Sequence, residues 1–121
     1  MGVILVVEDE RGVAETLKAI LEDEGHTILL AFNGREALTL LSRERPGLII
    51  SDLMLPMMSG QALYHALQAD ERYAAIPFMV ISALDPAVIK RQLPGVPSLP
   101  KPFQVERVLG LVAQLLTQTE A

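Results

Sequence analysis

Five short apolar runs, each followed by a stretch of helical periodicity, constrain this chain more than any other feature. Val3-Ile4-Leu5-Val6-Val7 is continuous and rich in β-branched residues, as a strand buried on both faces must be. Thr27 to Ala31, Leu48 to Ile50, Pro77 to Ser82 and Val96 to Leu99 repeat that pattern. Between them, Val13, Ala14, Leu17, Ile20 and Leu21 recur at helical spacing until Gly25, a helix stop. Asn33-Gly34-Arg35-Glu36 has the form of a capping box, and Ala37, Leu38 and Leu41 mark the helix it opens, which ends near Pro46. Ser59 caps a third helix with Ala62, Leu63, Ala66 and Leu67 on one face. Asp85-Pro86 starts a fourth, which Pro94-Gly95 cuts short. Val105, Val108, Leu109, Val112, Leu115 and Leu116 stripe the closing helix. Strands alternating with helices in this way specify an α/β domain with a parallel sheet, and Pro97 puts the fifth strand at its edge. The expectation is a single domain over residues 1–121, with Thr117 to Ala121 fraying.

Such a sheet collects its strand ends on one edge, and the polar residues sit there. Glu8 and Asp9 follow the first strand and Asp52 the third. Ser82 ends the fourth, and Lys101 follows the fifth. Open parallel sheets bind ligands in the crevice outside these carboxyl ends. Three carboxylates packed together repel and resist ionisation unless a cation intervenes. An oxygen-only set with few ligands suits Mg²⁺, which keeps several waters and bridges to phosphate oxygens. The arrangement reads as a phosphoryl-transfer site. Asp52 is the nucleophile, Lys101 pairs with it at rest and with the phosphoryl group later, and Ser82 reports on the product.

In Val-Val-Glu8-Asp9-Glu10, in Asp52 with Pro56 and Gly60 at fixed offsets, in Ser82-Ala83 and in Lys101-Pro102-Phe103, the chain resembles the receiver domain of two-component response regulators. The resemblance covers nearly the whole chain. It implies a flavodoxin-like (βα)5 doubly wound fold with strand order 2-1-3-4-5. It implies that Asp52 takes a phosphoryl group from a histidine of a sensor kinase or phosphotransfer protein. It further implies Mg²⁺ held by Asp9, Asp52 and the backbone carbonyl of Met54, with Glu8 on metal waters. Backbone N–H groups near Leu53, Met54 and Ala83 would cradle the phosphoryl oxygens. It leaves room for a homodimer through the fourth helix, fifth strand and fifth helix. The chain departs from the family at Ser98, where a switch aromatic is normal, and in the short, proline-crowded segment from Ser82 to Lys101. Met54 and Leu84, two residues after the acceptor and the hydroxyl, cannot orient water, which implies slow self-dephosphorylation.

Composition narrows the alternatives. A net charge of -5 and 4% aromatic residues argue against direct nucleic-acid binding by this domain. No stretch reaches membrane-spanning length, and the absence of cysteine excludes disulfides and thiolate metal sites and fits the cytoplasm. A flavin module would need a phosphate-cradling loop where Glu8-Asp9-Glu10 stands. A dehalogenase-like phosphatase would need an acid where Met54 stands. A receiver-like interaction module that acts without phosphorylation stays open. The Met54, Met57 and Met58 cluster reads as packing, His26 and His65 as surface residues, and Lys90-Arg91 as a solvated face.

Overall fold

The computed structural model describes residues 2–120, the side chains of 118–120 excepted. In chain order it places β1 (Val3–Val7), α1 (Arg11–Asp23), β2 (Thr27–Ala31), α2 (Gly34–Leu41) and β3 (Leu48–Ser51). Then come α3 (Gly60–Gln68), β4 (Phe78–Ser82), α4 (Pro86–Gln92), β5 (Ser98–Pro100) and α5 (Val105–Glu120). The strands form one sheet in the order β2-β1-β3-β4-β5, and every pairing is parallel. This is the flavodoxin-like order.

The helix boundaries follow from local chemistry. The Asn33 side chain accepts the Glu36 N–H at 2.9 Å, while the Glu36 carboxylate reaches back to the Phe32 N–H, closing the capping box. Ser59 and Asp85 cap α3 and α4 through the N–H groups of Ala62 and Ala87. At the end of α1, Gly25 takes φ 93°, which a Cβ would resist. The His26 N–H then bonds to the Leu21 carbonyl and the Gly25 N–H to the Glu22 carbonyl, the paired bonds of a Schellman stop.

Successive strand residues face opposite sides, so the sheet divides the interior into two cores. Leu5, Val7, Ile49, Phe78 and Val80 pack under α2, α3 and α4. Ile4, Val6, Ile50, Met79 and Ile81 pack under α1 and α5. With both sides covered, β1, β3 and β4 read as unbroken apolar runs.

Several expectations need correction. β5 lies at Ser98–Pro100 rather than Val96 to Leu99, because the chain turns at Pro94-Gly95 and Pro97 has no N–H to place in the ladder. Ala62 and Ala66 are exposed; Gly60, Leu63 and Leu67 are the buried face of α3. Val105 is exposed at the start of α5. Met54 and Met57 are exposed, and of the three methionines only Met58 packs on the core. His26 is half-buried, and its Nδ1 accepts the Gly2 N–H at 3.2 Å. α5 runs to Glu120, past the expected fraying, and Ala121 lies outside the described residues. Among the described residues, no helix is long and apolar enough to cross a membrane.

Candidate functional site

Register brings the predicted residues together. Val7 lies opposite Ser51, and the Asp52 N–H donates to the Val7 carbonyl at 3.0 Å, so Glu8 and Asp52 leave the sheet side by side. On the other flank Ser82 lies opposite Pro100, and the Lys101 N–H donates to the Ser82 carbonyl at 3.0 Å. Both flanks therefore deliver their next side chain into the same crevice.

Asp52 is 6% exposed and fully engaged. Its Oδ1 accepts the Leu53 N–H at 2.6 Å and the Met54 N–H at 3.2 Å. Its Oδ2 accepts from the Lys101 ammonium at 2.7 Å. The same Nζ stands 2.6 Å from Glu8 Oε1 and 3.8 Å from Glu10 Oε1. The Glu10 N–H donates to the other Glu8 oxygen at 3.1 Å. One ammonium thus bridges two buried carboxylates, which offsets the cost of removing them from water. Burial pushes the Glu8 carboxyl above its ordinary value, while Lys101 and the Glu10 N–H pull it back. Burial works against the charge on Lys101, but the Asp52 and Glu8 carboxylates outweigh it and hold the ammonium above its ordinary value.

Oxygens of Glu8, Asp9 and Asp52 all lie within 4.8 Å of one another, with Asp9 exposed at the mouth. Three hard oxygen donors this close fit a hard divalent cation. Ser82 is fully buried, and its Oγ accepts the Leu84 N–H at 3.2 Å. Ala83 is exposed beside it. The backbone of the acceptor loop is pressed from below by α3. The Gly60 N–H donates to the Leu53 carbonyl at 3.1 Å, and a Cβ at Gly60 would collide with the Asp52 carbonyl oxygen.

Sequence reasoning located each of these residues but paired Lys101 with Asp52 alone. The Lys101–Glu8 contact was not foreseen, although a carboxylate at the end of the adjacent central strand was signal enough. Arg11, with its guanidinium 4.7 Å from the Phe32 ring centre, was also missed. So was Ser51, whose buried hydroxyl donates to the Asp52 carbonyl at 2.7 Å.

Known proteins share this arrangement of elements. Residues 4–113 match the response regulator receiver domain family. The response regulator MprA of Mycolicibacterium vanbaalenii is 34% identical over 96% of this chain and 51% of its own length. The chain therefore spans about half the length of the curated relatives it matches. The signal receiver domain of a signal transduction histidine kinase from Syntrophus aciditrophicus superposes with a TM-score of 0.90 at 39% identity, covering 98% of this chain and 92% of that one. The chemotaxis response regulator CheY4 of Vibrio cholerae superposes at 0.88 with 27% identity, covering 95% and 98%.

Proposed function

This chain belongs to the response regulator receiver domain family, and on that premise we propose that Asp52 accepts a phosphoryl group from a phosphohistidine of a sensor kinase or phosphotransfer protein. The observation that carries the proposal is the Lys101 ammonium bridging Asp52 and Glu8 where three carboxylates meet. Asp52 Oδ1 is held by two backbone N–H groups, which leaves Oδ2, held only by Lys101, to form the new bond. That oxygen attacks phosphorus in line, the P–N bond breaks, and its electron pair leaves with the imidazole. The Lys101 ammonium would then pair with the phosphoryl oxygens as well, and the N–H groups of Met54 and Ala83 would turn to donate to them. Glu8, Asp9, Asp52 and the Met54 carbonyl would hold Mg²⁺, which neutralises charge on the transferring group. Ser82 would exchange the Leu84 N–H for a phosphoryl oxygen. The absence of cysteine supports a cytoplasmic setting for this reaction. No observation favours a module that works without phosphorylation. The same reading keeps a second copy of the chain as one occupant of the α4–β5–α5 face.

Acetyl phosphate with Mg²⁺ should add one labile phosphoryl mass to the chain and none to Asp52→Asn. Asp9→Ala should fold normally and fail to phosphorylate. Equal labelling of Asp52→Asn overturns the assignment.

A further inference from the structure

Sulfur enters this chain through methionine alone, since it has five methionines and no cysteine. The four described ones differ in access. Met79 is fully buried in β4, and Met58 packs against the core. Met54 is 59% exposed and Met57 72%, and both belong to the loop between β3 and α3. A thioether in contact with water is open to two-electron oxidants, whereas one packed in a core is shielded from them. Exposure therefore selects Met54 and Met57 as the reactive sulfurs among the described residues.

The surroundings of these two set them apart. The Met54 N–H donates to Asp52 Oδ1 at 3.2 Å, so this side chain leaves the backbone at the lip of the phosphoryl crevice. Met57 takes φ 69° and lines a cavity of about 350 Å³ against α2, with Leu30, Asn33 and Thr39. One exposed sulfur belongs to the acceptor's own loop turn, and the other to the flank beside α2.

Two methylenes separate the Met54 sulfur from its Cα. A change at sulfur therefore leaves intact the N–H that holds Asp52 and the carbonyl assigned to Mg²⁺. What changes is the surface offered to water. A thioether is a weak acceptor and an apolar shield, whereas a sulfoxide oxygen is polar and accepts hydrogen bonds.

We propose that Met54 is a site of reversible oxidation by hydrogen peroxide or an alkyl hydroperoxide, and that its sulfoxide shortens the life of the phosphorylated chain. The sulfur lone pair attacks a peroxide oxygen, and the S–O bond forms as the O–O bond breaks. The proton of the transferred hydroxyl passes to the departing oxygen, which leaves as water or alcohol. Sulfur loses two electrons and the peroxide gains them. A thiol-dependent reductase reverses the step, releasing the oxygen as water while a dithiol becomes a disulfide. In the oxidised chain the sulfoxide oxygen accepts a hydrogen bond from the water that attacks phosphorus, and so positions it. The effect on lifetime rests on the phosphoacceptor reading, while the oxidation itself does not.

The test treats the full chain briefly with hydrogen peroxide and reads mass. Peptide mapping should find one added oxygen on Met54 and on Met57 well before Met58, and none on Met79. The chain is then labelled with acetyl phosphate and Mg²⁺, and phosphoryl loss is followed by intact mass, separately for oxidised and unoxidised species in one tube. Both species should reach the same extent of labelling, because the Met54 backbone is unchanged. In Met57→Leu, the species oxidised at Met54 should lose its phosphoryl group about fivefold faster, the rate equivalent of one ordinary hydrogen bond. A methionine sulfoxide reductase with dithiothreitol should return that species to slow decay. In Met54→Leu, decay should be the same with and without peroxide. Met54→Gln, which carries a carbonyl oxygen near the position of the sulfoxide oxygen, should decay fast with no peroxide at all. Oxidation of Met58 or Met79 as fast as Met54 overturns the modification site. Equal decay of oxidised and unoxidised species, or acceleration by peroxide that persists in Met54→Leu, overturns the effect on lifetime. If the untreated chain takes up no phosphoryl group, the phosphoacceptor reading falls and takes the effect on lifetime with it, and the peptide map still decides whether Met54 is the oxidised residue.

Discussion

Replacing Lys101 by Met retains most of the apolar stem and removes the charge. In the folded chain this leaves Asp52 and Glu8 buried, 6% and 2% exposed, with no cation between them. Breaking a buried ion pair by deleting one partner costs about 3–5 kcal/mol. The cluster has an escape, which is to take up one proton. From an ordinary carboxyl value of about 4.3, protonation at pH 7 costs about 3.7 kcal/mol, so the loss is capped near that figure. Because burial already raises Glu8, the real ceiling is lower, and the expected loss at pH 7 is about 2–3 kcal/mol. The cap falls by about 1.4 kcal/mol per pH unit, so at pH 5 the variant should lie within about 1 kcal/mol of the wild type. Urea unfolding followed by circular dichroism at both pH values measures this, with an unchanged slope showing that the folded state is intact. Excess Mg²⁺ should recover part of the loss in the variant. A loss below about 1 kcal/mol at pH 7, or a loss that does not depend on pH, refutes the reasoning.

Two further outcomes follow from the geometry. Burial holds the His26 imidazole below its ordinary value, with Glu24 opposing, so the folded state binds fewer protons and stability must fall as pH drops through the ordinary imidazole value. Unfolding between about pH 8 and about pH 5 should therefore show a steeper loss in the wild type than in His26→Gln, and equal slopes would remove His26 from the account. Met54 is exposed beside Asp52, and Leu84 is half-buried beside Ser82. Once phosphorylated, the chain should decay slowly, and Met54→Asn or Leu84→Glu should speed phosphoryl loss several-fold by giving water a partner. Unchanged decay in both variants and in their combination would show that these side chains do not control the water.

Much of this architecture was legible because each layer of the sequence repeats the same message. β1, β3 and β4 are continuous apolar runs because both their faces are covered, and the caps at Asn33, Ser59 and Asp85 use side chains with one dominant job at a helix start. The site was legible because a parallel sheet gathers its strand ends. What failed was ambiguous at the level of single residues. Alanine marks a helical period without committing to a face, so Ala62 and Ala66 were placed inward. β5 has so few residues that neighbouring prolines, rather than periodicity, decide its register. The segment after α3, which buries Tyr73 and Ile76 and ties the Tyr73 hydroxyl to the Leu41 carbonyl, has no regular period to read. The Lys101–Glu8 pair depends on which carboxylate an ammonium reaches across the crevice, a tertiary fact that spacing along the chain does not carry.

The division of the interior by the sheet has a consequence for how such chains diversify. Among the described residues, α4 contributes only Ile89 to the core on its side, with Leu93 at its C-cap, and the core beneath α1 and α5 includes no residue of α4. A gene copy can therefore lengthen, shorten or recolour that helix without re-solving the packing problem on the opposite side of the sheet. Innovation at one surface and inheritance at the other become separable. A lineage can then acquire new correspondents while the acidic crevice and the helices α1 and α5 stay unaltered.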